Sequence, residues 1–300
     1  MIKDSQYIII TSDEEGSRLD RVIRKSYPLF KQAEIEKALR SKLIQVNQKK
    51  SSSNYRLIEN DIIQITNFLV DNLIPQNKAS TEITDSDVNL IKNNIIYRDA
   101  DLLVINKPAG LAVQGGSKIR KSVDNIMPVY LETLETWDNL KHKLVHRLDK
   151  ETSGLLLIAL NNRTAQDLAS AFKNHDIEKK YLAILTGKLT INNGRVSSSI
   201  DGDAITNYRV LARKRDATLV EFKPVTGKKH QLRLHSLELG FPILGDVKYD
   251  PTILNDKTAK LHLHAAEIIF PYQGRYFKLT ADLPEYFKNS IKEIFGSVRI

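Results

Sequence analysis

His146-Arg147-Leu148-Asp149-Lys150-Glu151-Thr152-Ser153-Gly154 runs directly into Leu155-Leu156-Leu157-Ile158-Ala159-Leu160. An uncharged apolar run of that length reads as a buried strand. The polar stretch before it is therefore a loop that delivers Asp149 to the start of the strand, and loops held by a rigid scaffold are where function is commonly placed. On the residues alone Asp149 has two readings. It is either a carboxylate open to a substrate, flanked by the Arg147 cation and the His146 ring, or a turn-capping residue acting with Thr152 and Ser153.

Outward from this point the chain alternates short apolar runs with polar connections. Leu102 to Ile105, Tyr181 to Leu185, Thr218 to Phe222 and Leu261 to Phe270 read with Leu155 to Leu160 as strands of a mixed sheet. Between two of them, Ala165, Leu168, Ala169 and Phe172 fall at helical spacing over Asn162 to Asn174, with Asn161 or Asn162 as cap. Lys229 to Leu239 reads as another helix, stopped by Gly240.

Nearer the N-terminus, Arg18 to Thr66 forms a unit of its own: helical patterns around Leu19 to Arg24 and Ala33 to Arg40, then strands at Ile44 to Val46 and Ile62 to Ile65, with a turn at Ser51-Ser52-Ser53-Asn54. Asp71 to Asn89 is rich in Ser, Thr and Asn, holds Pro75, and reads as a linker. The expected division is residues 16–68, a linker at 69–92, and a larger domain at 93–300.

The absence of cysteine removes disulfides, thiolate catalysis and Cys-based metal centres. No apolar run nears the length of a membrane span, and Tyr7-Ile8-Ile9-Ile10 is too short for a signal-peptide core, so the expectation is a cytoplasmic protein without a membrane partner. A net charge of +9 favours a polyanionic partner. Much of the excess is local, for Arg18 to Lys50 holds ten basic residues against Asp20, Glu34 and Glu36. Arg18, Arg21, Arg24, Lys25, Lys31, Lys37, Arg40 and Lys42 are the candidate phosphate contacts, able to hold RNA without reading its sequence.

The order Arg18-Leu19-Asp20-Arg21-Val22, a helix, Leu43-Ile44-Gln45-Val46-Asn47, then Asp61-Ile62-Ile63 resembles the S4 RNA-binding domain over residues 16–68. The chain departs from that pattern at Ser41-Lys42 and at Asn60, where the family has glycine. In the larger domain, His-Arg-Leu-Asp-x-x-Thr-Ser-Gly resembles the catalytic signature of the RluA family of pseudouridine synthases. Ile96 to Gly110 resembles that family's opening motif, while Lys179-Lys180-Tyr181-Leu182-Ala183 and Thr226 to His235 resemble the later ones. The similarity covers about residues 95–290.

The resemblance implies an α+β protein: a catalytic domain with a central, mostly antiparallel mixed sheet, preceded by a small α+β S4-like domain. It makes Asp149 the nucleophile, Tyr181 the residue that stacks on the target base and serves in proton transfer, and Arg233 the partner of the carboxylate. It places His146, Arg147, Leu232 and Lys107 at the substrate. It implies no cofactor and no metal, although His262 and His264 alternate along one strand. A uridine in folded RNA must be extruded to reach Asp149, with Arg147 filling the space it leaves. Attack on uracil C6 and ribose chemistry at C1′ and C2′ are both open to one carboxylate.

The segment Gly110 to Ser117 is most similar to the RluC branch, which modifies large-subunit ribosomal RNA. RluD-like sites, transfer RNA, or a non-catalytic role in ribosome assembly are the alternatives, and a monomer is expected. A glycoside hydrolase would need two carboxylates about one bond, and the sequence supports only Asp149. Gly115-Gly116-Ser117 lacks the lysine and helix pattern of a nucleotide-binding loop and reads as a loop beside the RNA.

Overall fold

Leu19, Val22 and Ile23 are almost wholly buried while Arg21, Arg24 and Lys25 are exposed, as helical periodicity requires. A computed structural model describes residues 5–27, 30–67, 69, 83–115, 121–134, 140–214, 216–254, 256 and 258–298. The chain divides into two units, Met1–Ser80 and Thr81–Ile300.

In the first unit β1 (Ser5–Ile9), α1 (Leu19–Ser26), α2 (Gln32–Arg40), β2 (Ile44–Val46) and β3 (Ile62–Thr66) form an antiparallel sheet, order β1-β3-β2, under two helices. Ile35 and Leu39 of α2 join Leu19 and Ile23 over Ile63 and Ile65. Lys42 and Asn60 adopt positive φ, 59° and 70°. The backbone takes a left-handed turn there without glycine.

The second unit contains α3 (Asp85–Lys92), β4 (Ile95–Arg98), β5 (Leu102–Lys107), α4 (Val123–Glu132), β6 (Lys143–Leu144), β7 (Ser153–Ala159), α5 (Asn162–Lys173), β8 (Glu178–Thr186), β9 (Asn193–Ser199), β10 (Asp203–Lys214), β11 (Ala217–Pro224), α6 (Gln231–Glu238), β12 (Leu263–Tyr272), β13 (Arg275–Thr280) and α7 (Glu285–Phe295). The stretch expected to be linker thus ends in a helix. Thr84 and Asp87 cap α3, with the Thr84 amide donating to Asp87 Oδ2 at 2.9 Å, and Val88 and Ile91 are buried with Val123 and Met127 of α4. Residues 70–82 of that stretch lie outside the described residues, as does the Gly116-Ser117 part of the glycine-rich segment.

The strands make one ten-stranded mixed sheet, β4-β5-β7-β12-β8-β11-β10-β9, with β13 beside β12 and β6 beside β7. It is the mostly antiparallel sheet expected. Every residue of β7 is buried, and Leu155 to Ile158 lie at 0–1% exposure. Each such side chain contributes about 1.5–3 kcal/mol over its exposed state. Leu156 and Ile158 face α3 and α4, while Leu155 and Leu157 face α5. The Asn161 side chain caps α5 by accepting from the Thr164 amide at 2.9 Å.

Only one pairing between named strands of this sheet is parallel, the short contact of β7 with β12 at His264↔Ser153 and Ala265↔Gly154. Gly154 sits there at φ 111°, and a Cβ on it would lie 2.3 Å from the Ala265 carbonyl oxygen. Gly154→Ala combines backbone strain with a clash against main chain, so a loss of about 3 kcal/mol is expected. Urea denaturation reads this as a lower midpoint at unchanged slope. An unshifted midpoint would mean that the two strands separate freely.

Candidate active site

The acid loop is pinned at both ends. Leu148 is buried in the apolar core, the Asp149 carbonyl accepts from the Thr152 amide at 3.1 Å, and Thr152 and Ser153 are buried. The turn is closed by the backbone of Asp149, which leaves its side chain facing a cleft. The Lys150 carbonyl accepts from the Gly110 amide at 2.9 Å and from Lys107 Nζ at 3.1 Å, tying the loop to the segment after β5.

Lys107 is therefore not a substrate ligand. Its side chain is wholly buried, and its ammonium also donates to the carbonyls of Pro108 and Leu111 at 2.9 and 2.8 Å, so all three protons are engaged. Burial pulls its pKa down to about 7 against the nearby Glu151 and Asp149 charges. His146 lines the cleft and also helps to frame the loop. Its Nε2 accepts from the Leu157 amide at 2.9 Å and its ring stacks on Phe172 at 4.8 Å, so it fastens the loop to β7. Burial, aided by Lys179, lowers its pKa to about 3 and keeps the ring neutral. Arg147 is exposed and lines the cleft.

Across the cleft stands the N-terminal end of α6. Arg233 Nη1 lies 3.9 Å from Asp149 Oδ2, but its stronger hold is on Asp246: Nε donates to Oδ2 at 2.8 Å and Nη2 donates to Oδ1. Burial opposes the guanidinium charge, yet the hydrogen bond and charge of Asp246, then Asp149, keep its pKa above the ordinary value. Asp246 is placed by Gly245, whose φ is 80° and whose Cβ would fall 2.0 Å from the Lys260 carbonyl oxygen. The arginine is thus oriented by one carboxylate and presented to the other.

His230 precedes α6 in a left-handed conformation, φ 56° and ψ 20°, with Nε2 at 3.6 Å from Asp149 Oδ1 and Nδ1 at 2.6 Å from the Tyr249 hydroxyl. Tyr181 on β8 is half-buried against the apolar side of the cleft. Burial, and then the Asp149 charge, push its pKa well above the usual tyrosine range, so the phenol stays protonated. Leu232 supplies apolar wall as expected.

The cleft encloses about 440 Å³, within the usual span of ~300–1,000 Å³ for small-ligand sites. Asp149 is the one carboxylate among the described residues lining it, against Arg147, Lys173, Lys179, Lys228, Lys229 and Arg233. Three further histidines are engaged elsewhere: His262 with the Leu244 carbonyl and Ser290 Oγ, His264 with Ser153 Oγ and the Ala281 carbonyl, and His235 with Thr206 Oγ1 and Ser198 Oγ, whereas His175 lines the cleft.

In the first unit Arg21, Arg24 and Lys25 project from α1, with Lys31, Lys37, Arg40 and Lys42 exposed on or beside α2. Lys25 also reaches Glu14 at 3.2 Å. Arg18 is paired at the start of α1, where its Nε and Nη2 donate to the Asp20 carboxylate at 3.0 and 2.7 Å.

Residues 101–238 match the model of the RNA pseudouridylate synthase family, a span that includes Asp149, Tyr181 and Arg233. Over 93% of this chain and 99% of its own length, "Ribosomal large subunit pseudouridine synthase C" of Rickettsia bellii (strain RML369-C) is 41% identical. The protein of the same name from Rickettsia prowazekii (strain Madrid E) is 42% identical over 91% of this chain and 96% of its own. The solved structure of "Human RNA Pseudouridylate Synthase Domain Containing 4" superposes with a TM-score of 0.61 at 28% identity, covering 71% of this chain and 96% of the human one.

Proposed function

Because the chain belongs to the RNA pseudouridylate synthase family, we propose that it isomerises uridines to pseudouridine in large-subunit ribosomal RNA, with Asp149 as nucleophile. The observation that carries this reading is that Asp149 is the one carboxylate among the described residues of a cleft whose other charged side chains are lysines and arginines. A phosphate backbone is attracted by the rim, and one carboxylate meets the extruded nucleotide.

The isomerisation breaks the N1–C1′ bond, turns the uracil and joins C5 to C1′, with the C5 proton passing to solvent and N1 taking one proton up. No electrons are exchanged, so no redox partner is needed. Asp149 bonds transiently to C6 or to C1′ and is released at the end. Tyr181, a protonated phenol on an apolar wall, stacks on the base and offers its hydroxyl for proton transfer. Arg233 orients the carboxylate, and Arg147 occupies the gap left in the RNA. The first unit is read as an S4-like module whose exposed Arg21, Arg24, Lys37 and Arg40 hold phosphates, in a cytoplasmic protein that works where ribosomal RNA is made.

The test is a release assay on large-subunit RNA carrying tritium at uracil C5. Release to water at a few uridines is expected, because C5 must give up its hydrogen when it bonds to C1′. Complete retention of label would sink the enzyme reading, and release only from transfer RNA would overturn the proposed target.

A further inference from the structure

His230 sits in strained backbone at the mouth of the site. A residue preceding a helix is ordinarily extended, and left-handed backbone is uncommon for a residue with a Cβ. Such strain persists where the surroundings over-determine it, and here they fix the ring. Nδ1 faces the Tyr249 hydroxyl at 2.6 Å and Lys248 Nζ at 3.1 Å, with the Tyr249 ring edge-on at 5.6 Å. An ammonium has donors only. Nδ1 must accept, so the neutral ring carries its proton on Nε2, the nitrogen 3.6 Å from Asp149 Oδ1. Burial lowers the His230 pKa, and Arg233, Lys248 and Lys229 add to this against the pull of Asp149, so the ring is neutral at pH 7.

We propose that His230 is a positioning residue for the reaction: with its Nε2 proton fixed by Tyr249 and Lys248, it orients the Asp149 carboxylate from the Oδ1 side while Arg233 holds Oδ2. The two contacts are unequal. Arg233 brings a full charge anchored by Asp246, whereas His230, 3.6 Å from the carboxylate against 3.9 Å for Arg233, brings a neutral donor. Oδ1 therefore keeps more of its basicity and is the oxygen turned to the nucleotide. This rests on the proposed function of Asp149.

Two substitutions separate the proposal from a merely structural role. Asn tolerates left-handed backbone best and places its amide where Nδ1 lies, so His230→Asn keeps the turn and the Tyr249 side but loses the donor toward Asp149. Gln reaches as far as Nε2, and this chain already holds Gln48 and Gln273 at positive φ, 61° and 50°. With the full chain and tritium-labelled large-subunit RNA, His230→Asn is expected to lower kcat about 30-fold at unchanged KM. That is less than the ~100–1,000-fold of a donor aimed at developing charge. His230→Gln is expected to recover at least about a third of wild-type kcat.

Equal losses in both variants, activity of both near wild type, or Asn surpassing Gln would each overturn the proposal. A loss confined to KM would do the same. Wild-type protein that releases no label defeats the proposed function instead, and the two failures are thereby distinguishable.

Discussion

Asp149→Asn is expected to abolish turnover, by a factor of at least about 10⁴, in a protein that folds and binds RNA as before. The side chains are nearly the same size, but a neutral amide lacks the negative charge and is a far weaker nucleophile toward carbon. Asp149 is 17% exposed and contacts its neighbours only at 3.6 and 3.9 Å, so little native structure depends on it. Arg233 keeps its tighter partner Asp246, and no buried charge is stranded. RNA affinity is expected to hold or rise slightly, because a carboxylate in a cationic cleft repels phosphate. Label release from C5 measures the first effect and a filter-binding titration the second. Pseudouridine made by the folded variant at more than about 1% of the wild-type rate would remove Asp149 from the role of nucleophile.

Asp246→Ala is expected to have the second-largest effect, on stability and turnover together. The Asp246 side chain is fully buried and that of Arg233 nearly so, at 0% and 7% exposure. Removing the acid leaves a buried guanidinium with only Asp149 near it, a change that costs about 3–5 kcal/mol. For a domain of this size the thermal midpoint falls by roughly 10 °C. Turnover also falls at temperatures where the variant is folded, since Arg233, freed from its anchor, closes on Asp149 and ties up the oxygens meant for the nucleotide. Calorimetry and label release on one preparation test both. A midpoint within about 2 °C of wild type would show that the pair is solvated rather than buried.

The strands of the large sheet were legible where apolar residues run on, as in β7 from Leu155 to Ala159, and in β12 from Ile268 to Phe270 just beyond Glu267. Strand β9 was not legible, because Asn193 to Ser199 lies at the sheet edge and only Val196 is buried. Strand β1 read as an apolar run without a partner, as its pairing with β3 spans more than fifty residues of chain. Helix α3 was hidden by polar composition, although Thr84, Asp87, Val88 and Ile91 hold the capping and core signals.

At the site, Asp149, Tyr181 and Arg233 were named from motifs, and the structure brings them to one cleft. Asp246 and Tyr249 lie beyond those motifs, and nothing local marks them as partners of α6. The role of Lys107 misled because chemistry-bearing side chains beside the acid loop also serve to build it. Only burial and partner geometry distinguish the two uses.

The short parallel seam between β7 and β12 can be regarded as the pin of a caliper. Asp149 rides on one jaw, just ahead of β7, while Tyr181 and Arg233 ride on the other, carried by β8 and α6. Two rungs of backbone pairing join the jaws, and the apolar packing of Leu155, Leu157 and Phe270 under α5 holds them at their setting. The gap across which the carboxylate meets its partners is thus calibrated by the core beneath it. A methyl group lost from that packing would be felt as a change in the reach of the acid, far from any residue that touches RNA.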